Sequence, residues 1–214
     1  MQTDIREIYD MIVPRVNKFY RACYMIFGPL IRIFRPFEVA GRENIPGGAA
    51  LICANHSTMS DPFILALSFD AGDQVHVLAK KELFKIPVIS FLLRKLGMIS
   101  VQRGAPDIAS FKSSLEYLKR GEKVAIFPEG TRVLEDDSVS AKTGAIKLAE
   151  RTQVPIIPFF IPRKKPPFKK IMLVAGEPYY IEKTESKRTT GEYTSLADAL
   201  MKKIIELDPT GKNK

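Results

Sequence analysis

The 214-residue sequence is poor in the residues that build cross-linked or metal-bound proteins. Its two cysteines, Cys23 and Cys53, lie among apolar residues and form no Cys-x-x-Cys motif, so they are typical of core positions in a reducing cytoplasm. His56 and His76 are the only histidines. Because a zinc cluster needs several such ligands, we predict no metal site and no bound cofactor.

The sequence also lacks a long uninterrupted apolar run. The longest run near the start, Ala22 to Ile31, is broken by Gly28 and Pro29. A membrane-spanning helix needs roughly 18 to 20 apolar residues, so none is predicted. A cleavable signal peptide is not expected either, because acidic residues occupy the region where its positive charges would lie.

Acidic residues are missing between Asp10 and Glu38, where lysines and arginines alternate with bulky aliphatic and aromatic residues. Pro14 and the Gly28-Pro29 pair predict two or three short helical pieces. We predict that residues 1–37 form an amphipathic helical motif lying in the membrane interface, and the alternative is a cap packed on the protein's own core. Residues 38–214 are predicted to form a separate α/β domain.

The net charge of +9 and the isoelectric point of about 9.5 indicate an anionic partner. Nucleic acid, an acidic membrane surface and a phosphorylated substrate all satisfy this requirement. Nucleic acid is disfavoured, because the sequence has no RNA-type aromatic sheet motif and its first basic residues are mixed with aliphatics. A short basic loop at 163–170 is interpreted as solvated, with a second contact to anionic headgroups as the alternative.

From residue 38 onward, short apolar strands alternate with helical patterns, which predicts an α/β fold. We expect a mixed, largely parallel sheet flanked by helices. Strands are predicted at 49–54, 75–79, 98–101, 124–127, 154–161 and 171–175, and helices at 62–69, 87–96, 108–120, 143–151 and 195–207. In such folds, functional sites collect at the carboxyl ends of the strands.

A histidine and an aspartate lie in the turn after the first of these strands. His56 follows the strand directly, and Asp61 comes five residues later, at the start of a predicted helix. A tight turn would bring the carboxylate to one ring nitrogen and leave the other as a base, with a substrate alcohol as nucleophile. The alternative is ordinary structure, with Asp61 as a helix N-cap and His56 as a structural histidine.

Three further segments place polar or apolar groups at neighbouring strand ends. The segment 97–104 presents Arg103, and the segment 127–132 presents Glu129 and Arg132. Because a guanidinium group suits a phosphate, the two arginines together favour a phosphorylated ligand. The segment 154–158 is entirely apolar and is predicted to line an apolar channel.

These segments resemble the PlsC-like family of 1-acyl-glycerol-3-phosphate acyltransferases. The family's blocks appear in order as NHSTMSD, GMISVQR, FPEGTR and VPIIP, and the stretch LAKKELF is similar to a fifth block. The resemblance extends from Glu38 to Ala175. It implies transfer of a fatty acyl group from acyl-CoA or acyl-carrier protein to the sn-2 hydroxyl of lysophosphatidic acid, giving phosphatidic acid at the cytoplasmic face of a membrane.

The resemblance also implies a role for each matching residue. His56 would be the base, oriented by Asp61, and Lys80 or a nearby backbone N–H would stabilise the oxyanion. Arg103 and Arg132 would bind the substrate phosphate. The glycerol site would be shaped by Glu129, Gly130 and Thr131.

Two alternatives to this function stay open at this point. The first keeps the chemistry and changes the acceptor to glycerol-3-phosphate or another lysophospholipid. The second is a basic membrane-binding module without catalysis. The sequence does not specify the acyl chain length, the thioester donor, the oligomeric state or the depth of membrane insertion.

Overall fold

The computed structural model describes residues 16–102, 104, 107–133, 141–184 and 186–211. The strands in this part of the chain are β1 (Phe37–Ala40), β2 (Ala50–Ala54), β3 (Val75–Lys80), β4 (Ile99–Val101), β5 (Lys123–Ile126), β6 (Ile156–Phe160) and β7 (Ile171–Ala175). The α-helices are α1 (Lys18–Phe34), α2 (Asp61–Leu67), α3 (Pro87–Lys95), α4 (Ile108–Lys119), α5 (Gly144–Thr152) and α6 (Thr190–Glu206).

The seven strands of the described residues form one sheet in the order β1-β7-β6-β2-β5-β3-β4. Every neighbouring pair is parallel except β6 and β7, which are antiparallel. The predicted α/β fold with a mixed, largely parallel sheet is therefore confirmed. The β1 strand was not predicted, because it has only four residues, one of which is the charged Glu38, and its apolar pattern is therefore short.

Helices cover both faces of the sheet and bury two apolar clusters. One cluster joins the sheet to α2 through Ile64 and Leu65, with Tyr24 and Ile31 of α1 at its margin. The other joins the opposite face to α4, α5 and α6, which contribute Leu118, Ile146 and Leu200 among others. The central strand β2 is buried throughout its length, which explains its continuous apolar sequence.

The predicted break at Gly28-Pro29 is wrong, because α1 continues through both residues as one helix of 17 residues. Contacts with α2 hold both halves of the helix in line. The Tyr24 hydroxyl donates to the carbonyl oxygen of Phe69 at 2.8 Å, and Arg32 donates to that of Leu67 at 2.7 Å. A side chain at position 28 would meet Leu67 at 3.2 Å, so glycine permits this close approach.

The topology brings several chain segments to one edge of the sheet. Strands β2, β3, β4, β5 and β6 run in the same direction, so their carboxyl ends share that edge. The loops that follow β2, β5 and β6 are neighbours there, because these three strands are adjacent in the sheet. Residues far apart in sequence therefore meet at the end of β2.

Candidate active site

The imidazole of His56 and the carboxylate of Asp61 form a buried pair at the end of β2. His56 Nδ1 lies 2.9 Å from Asp61 Oδ2, and the two residues are 6% and 0% exposed. Because an ionised carboxylate only accepts hydrogen bonds, Nδ1 carries the proton and donates it. Nε2 of His56 then holds the lone pair, which is the arrangement of a general base.

The turn between the two residues explains why the Asp61 carboxylate lies against the His56 imidazole. The backbone N–H groups of Ser57 and Thr58 donate to Asp61 Oδ2 at 2.7 and 2.8 Å, and the Thr58 hydroxyl donates to Oδ1 at 2.6 Å. Pro62 lies in the first turn of α2, where its missing N–H costs nothing. The predicted N-cap role of Asp61 is wrong: Ser60 is the N-cap residue, and the Asp61 carboxylate faces the preceding turn instead.

A buried lysine completes the surroundings of Asp61. Lys165 Nζ lies 2.9 Å from Asp61 Oδ1 and donates to the Ser57 hydroxyl at 2.8 Å. Burial alone would raise the pKa of Asp61, but the hydrogen bond from His56 and the charge of Lys165 hold that pKa well below its usual range. Burial lowers the pKa of Lys165, and the carboxylate of Asp61 opposes this shift. Asp61 is therefore ionised at neutral pH.

A second carboxylate fixes the backbone of His56. Glu129, which follows β5, is 3% exposed and its Oε2 accepts a hydrogen bond from the His56 N–H at 2.6 Å. The carbonyl oxygen of His56 accepts from the Val133 N–H at 2.8 Å. Arg163 Nη2 lies 3.6 Å from Glu129 Oε1, and Arg163 Nη1 donates to the carbonyl oxygen of Val133 at 2.5 Å. The loops after β2, β5 and β6 are thereby joined around one histidine.

The residue before His56 anchors the turn to β6. The Asn55 side chain donates to the carbonyl oxygen of Ile161 at 2.8 Å and accepts from the Ile161 N–H at the same distance. Both side-chain groups of the amide are thus satisfied, although the residue is fully buried. This reciprocal pair fixes the chain direction directly before the catalytic candidate.

Arg163 and Lys165 were missed as site residues, since the loop 163–170 was interpreted as solvated. Both side chains are buried at the site instead, at 11% and 2% exposure. A usable signal was their spacing: residues two apart on an extended chain after a buried strand point the same way. Lys164 between them is exposed, as that alternation requires.

A mainly apolar cavity of about 630 Å³ lies at the carboxyl ends of β4 and β5. Its wall includes Phe127, whose ring stacks on the His56 imidazole with 4.3 Å between centroids. The rest of the lining comes from β3, from the ends of β4 and β5 and from α4 and α5, including Leu78, Val101, Ile126, Phe111 and Leu148. The segment 154–158 was predicted to line an apolar channel, but β6 is buried at the centre of the sheet and does not contribute to this cavity.

The remaining predicted residues lie at varying distances from His56. Lys80 ends β3 on the same edge, two strands from β2, with a half-exposed side chain 3.8 Å from Glu82. Thr131 and Arg132 are exposed, and Arg132 adjoins Val133, which is bonded to His56. Gly130 turns the chain with φ of +67°, where another side chain would be strained. Arg103 lies outside the described residues, and the roles predicted for the six site residues at or after the ends of β3, β4 and β5 stay predictions.

Within the described ranges, no group of three or more His, Cys, Asp or Glu residues is placed to hold a metal ion. A neutral imidazole braced by a carboxylate can take a proton from an alcohol. The adjacent apolar cavity can hold a hydrocarbon group, and its volume falls in the usual range for ligand pockets.

Comparison with known proteins identifies the family to which this chain is similar. Residues 36–162 match the family model Acyltransferase. The chain is 31% identical to the 1-acyl-sn-glycerol-3-phosphate acyltransferase of Bacillus subtilis, over 88% of this chain and 96% of that one. It is 34% identical to the enzyme of the same name from Pseudomonas aeruginosa over 57% of this chain, and it spans about half of that relative, 48%.

A solved structure is similar as well. The crystal structure of the 1-acyl-sn-glycerophosphate (LPA) acyltransferase PlsC from Thermotoga maritima matches 98% of this chain and 85% of its own, with a TM-score of 0.60 and 26% identity. The residues matched by the family model include the His56–Asp61 pair and every described strand except β7. The chain therefore belongs to the acyltransferase family, among the 1-acyl-sn-glycerol-3-phosphate acyltransferases.

Proposed function

We propose that this enzyme transfers a fatty acyl group from a thioester to the sn-2 hydroxyl of lysophosphatidic acid, with His56 as the general base. The observation that carries the proposal is the 2.9 Å contact between His56 Nδ1 and Asp61 Oδ2, which leaves Nε2 free to accept a proton. A membrane-binding module without catalysis would not need this buried pair. The acceptor's hydroxyl is the nucleophile, so the site needs no serine of its own.

The reaction balances with the side chains present. His56 Nε2 takes the proton of the hydroxyl while the oxygen attacks the thioester carbon, forming a C–O bond and an oxyanion. The oxyanion then collapses and breaks the C–S bond. The protonated His56 returns its proton to the leaving thiolate, giving phosphatidic acid and a free thiol. Lys80, or a backbone N–H, is the proposed oxyanion donor.

The substrate phosphate would be bound by Arg132 and Arg103. Arg132 is exposed, and its neighbour Val133 donates to the carbonyl oxygen of His56, so its backbone lies beside the catalytic residue. A guanidinium group can bind two phosphate oxygens at once. The excess of nine positive charges would also attract the anionic acceptor and either thioester donor.

The acyl chain of the donor would occupy the cavity next to Phe127. Phe127, whose ring stacks on the His56 imidazole, is part of the cavity wall, and α4 and α5 contribute much of the remaining wall. Lys142 and Lys147 lie in its lining, and their positive charges would attract the anionic groups of either thioester donor. Coenzyme A and the phosphopantetheine of acyl-carrier protein both fit this reasoning, so both remain candidate donors.

Helix α1 would bind the enzyme to the cytoplasmic face of an anionic membrane. Its outward face is apolar and exposed, with Ile26 67% exposed, and the exposed residues also include Met25, Phe27, Leu30, Ile33 and Phe34. Among the described residues, no helix is long and apolar enough to cross a bilayer. An exposed apolar helix face with Lys18 and Arg21 beside it is suited to the lipid interface.

The end of α1 contacts the loop 163–170, which carries Arg163 and Lys165. The Phe168 N–H donates to the carbonyl oxygen of Phe34 at 3.0 Å, and the two rings contact each other at a tilt of 51°, with 5.4 Å between centroids. Arg35 donates to the carbonyl oxygen of Lys165. A lysolipid in the membrane could therefore present its headgroup to His56 while its own acyl chain stays among lipids.

An assay on purified enzyme tests the proposal. Lysophosphatidic acid is supplied with acyl-CoA or acyl-carrier protein, and phosphatidic acid is measured by mass spectrometry. We expect product with at least one donor, and a fall in turnover of at least a thousandfold in His56→Ala. Parallel reactions with glycerol-3-phosphate and with a neutral lysophospholipid identify the acceptor.

Folding is checked by circular dichroism, so that a loss of structure is not mistaken for a loss of catalysis. Near-normal turnover in a folded His56→Ala variant would overturn the catalytic assignment. A preference for glycerol-3-phosphate would overturn the acceptor while leaving the chemistry intact.

A further inference from the structure

Lys165 is a charged side chain in a place where charge is costly. Its side chain is 2% exposed, and its ammonium group lies 2.9 Å from Asp61 Oδ1 and 2.8 Å from the Ser57 hydroxyl. It also donates to the carbonyl oxygen of Arg163 at 3.3 Å. An ammonium group buried in this way needs a counter-ion, and Asp61 is the anion in contact with it.

The two oxygens of Asp61 are bound on opposite sides. Oδ2 accepts from the imidazole of His56 and from two backbone N–H groups. Oδ1 accepts from Thr58 and from Lys165. Lys165, Asp61 and His56 therefore form a continuous line of cation, anion and base, in which the carboxylate cannot rotate without losing one of its partners.

We propose that Lys165 is a positioning residue for acyl transfer, which holds the Asp61 carboxylate ionised and oriented towards His56. Lys165 does not reach the substrate, since it is buried behind Asp61. The proposal rests on the proposed function for its catalytic meaning, while its geometry stands on the contacts alone. Neither the predicted site nor the family blocks include this residue.

The charge of Lys165 has a defined effect on His56. A neighbouring cation disfavours the protonated imidazole, and it also neutralises part of the carboxylate that favours it. Without Lys165, the unneutralised Asp61 would hold the proton on His56 more tightly, and the free base would form only at higher pH. The positive charges of Arg163 and Arg35 also lower the pKa of Lys165. Both arginines would remain in place when Lys165 is replaced, as would Glu129, which accepts a hydrogen bond from the His56 N–H.

The experiment compares Lys165→Met with Lys164→Met in the acyl transfer assay. Both variants remove one positive charge from the same loop, but Lys164 is exposed. We expect Lys165→Met to lower kcat on the order of tenfold to a hundredfold, with KM for lysophosphatidic acid changed much less. We also expect the acid limb of its pH–rate profile to move up by about one pH unit. Lys164→Met should match the wild type in both measurements.

A conservative variant and a direct titration keep the proposal testable. Lys165→Arg retains the charge, so its acid limb should stay near the wild-type position even where kcat falls. Imidazole nuclear magnetic resonance follows the protonation of His56 without turnover, and the resonance is assigned by its loss in His56→Gln. Its midpoint should move upward in Lys165→Met. This titration does not depend on acyl transfer, so it separates failure of this proposal from failure of the proposed function.

Three results would overturn the proposal. The first is a folded Lys165→Met variant with wild-type kcat and an unmoved titration. The second is a loss of kcat with neither the acid limb nor the His56 titration moved, which would show a purely structural lysine. The third is an equal shift in Lys165→Arg, which would show that the charge is not responsible.

Discussion

The carboxylate of Glu129 accepts a hydrogen bond from the backbone N–H of His56 at 2.6 Å and thereby joins the ends of β5 and β2. The side chain is buried and faces the enzyme's own backbone, with the guanidinium group of Arg163 at 3.6 Å. The resemblance to the family implies that Glu129 shapes the glycerol site. The geometry supports an indirect route to that effect, through the position of His56.

A Glu129→Gln variant tests this route. The amide can still accept from the His56 N–H, but the buried Arg163 loses the negative charge beside it. We expect the free energy of unfolding to fall by about 3 kcal/mol, because one partner of a buried ion pair has been removed. We also expect kcat to fall more than KM for the acceptor rises. Urea unfolding and steady-state kinetics measure these effects, and a large rise in KM at unchanged stability would indicate direct substrate contact instead.

The ionised Asp61 should make the enzyme sensitive to acid. Its pKa in the folded protein is held below the ordinary aspartate value of about 4 by His56 and Lys165, against the effect of burial. The stabilisation is therefore complete above that ordinary value and is lost as the pH falls below it, because the unfolded chain takes up the proton first. At neutral pH, Asp61→Asn should lower the free energy of unfolding by about 3 kcal/mol.

The measurement is a series of urea unfolding curves for the wild type and Asp61→Asn from neutral pH down to about pH 3. The difference between the two proteins should shrink over the acid part of this range. Other carboxylates titrate in both proteins and cancel in the difference. The exposed Asp198 provides the matched control as Asp198→Asn. A difference for Asp61→Asn that stays constant with pH would contradict the assignment of an ionised, stabilising carboxylate.

Sequence reasoning could place His56 and Asp61 together because the contact is local. They are five positions apart, and the strand before them and the helix after them have clear patterns. The contact between Lys165 and Ser57 joins residues 108 positions apart, and it depends on β6 lying next to β2. The local sequence pattern does not determine the order of strands in a sheet. A lysine in a basic, proline-rich loop therefore has the same sequence pattern whether it is buried or solvated.

Helix α1 shows a second limit of local patterns. Gly28 and Pro29 are ordinary helix breakers, and the prediction of separate pieces followed from that preference. The continuous helix depends on Tyr24 and Arg32, which bond to the backbone at the end of α2. Tertiary contacts of this kind outweigh the local cost of a proline, but they become visible only once the packing partner is known.

The cavity beside Phe127 predicts how the enzyme selects acyl chains. Val101, at the end of β4, lies in its lining and is partly exposed, so a larger side chain there would enter the cavity. We expect Val101→Trp to lower kcat/KM for a palmitoyl donor at least tenfold more than for an octanoyl donor. Met172→Trp, on the remote strand β7, should leave this ratio unchanged. Equal losses with both donors would place the acyl chain elsewhere.

The exposed face of α1 leads to the last prediction, which concerns membrane binding. Deleting the helix would remove Tyr24 and Ile31, which pack against the core, and would expose the apolar residues beneath them, so substitutions on its outward face are the better test. Replacing Ile26 and Leu30 by serine removes two exposed apolar side chains and leaves the inward face intact.

We expect the Ile26→Ser/Leu30→Ser protein to bind vesicles of anionic phospholipid at least tenfold more weakly than the wild type in a sedimentation assay, because apolar burial in the interface contributes most of the attachment. Tyr180→Ser removes an apolar ring that is 62% exposed and lies outside α1, and it serves as the matched control. Activity towards detergent-dispersed lysophosphatidic acid should be retained in both variants, since His56 is untouched. Unchanged vesicle binding by the α1 variant would show that another surface holds the enzyme at the membrane.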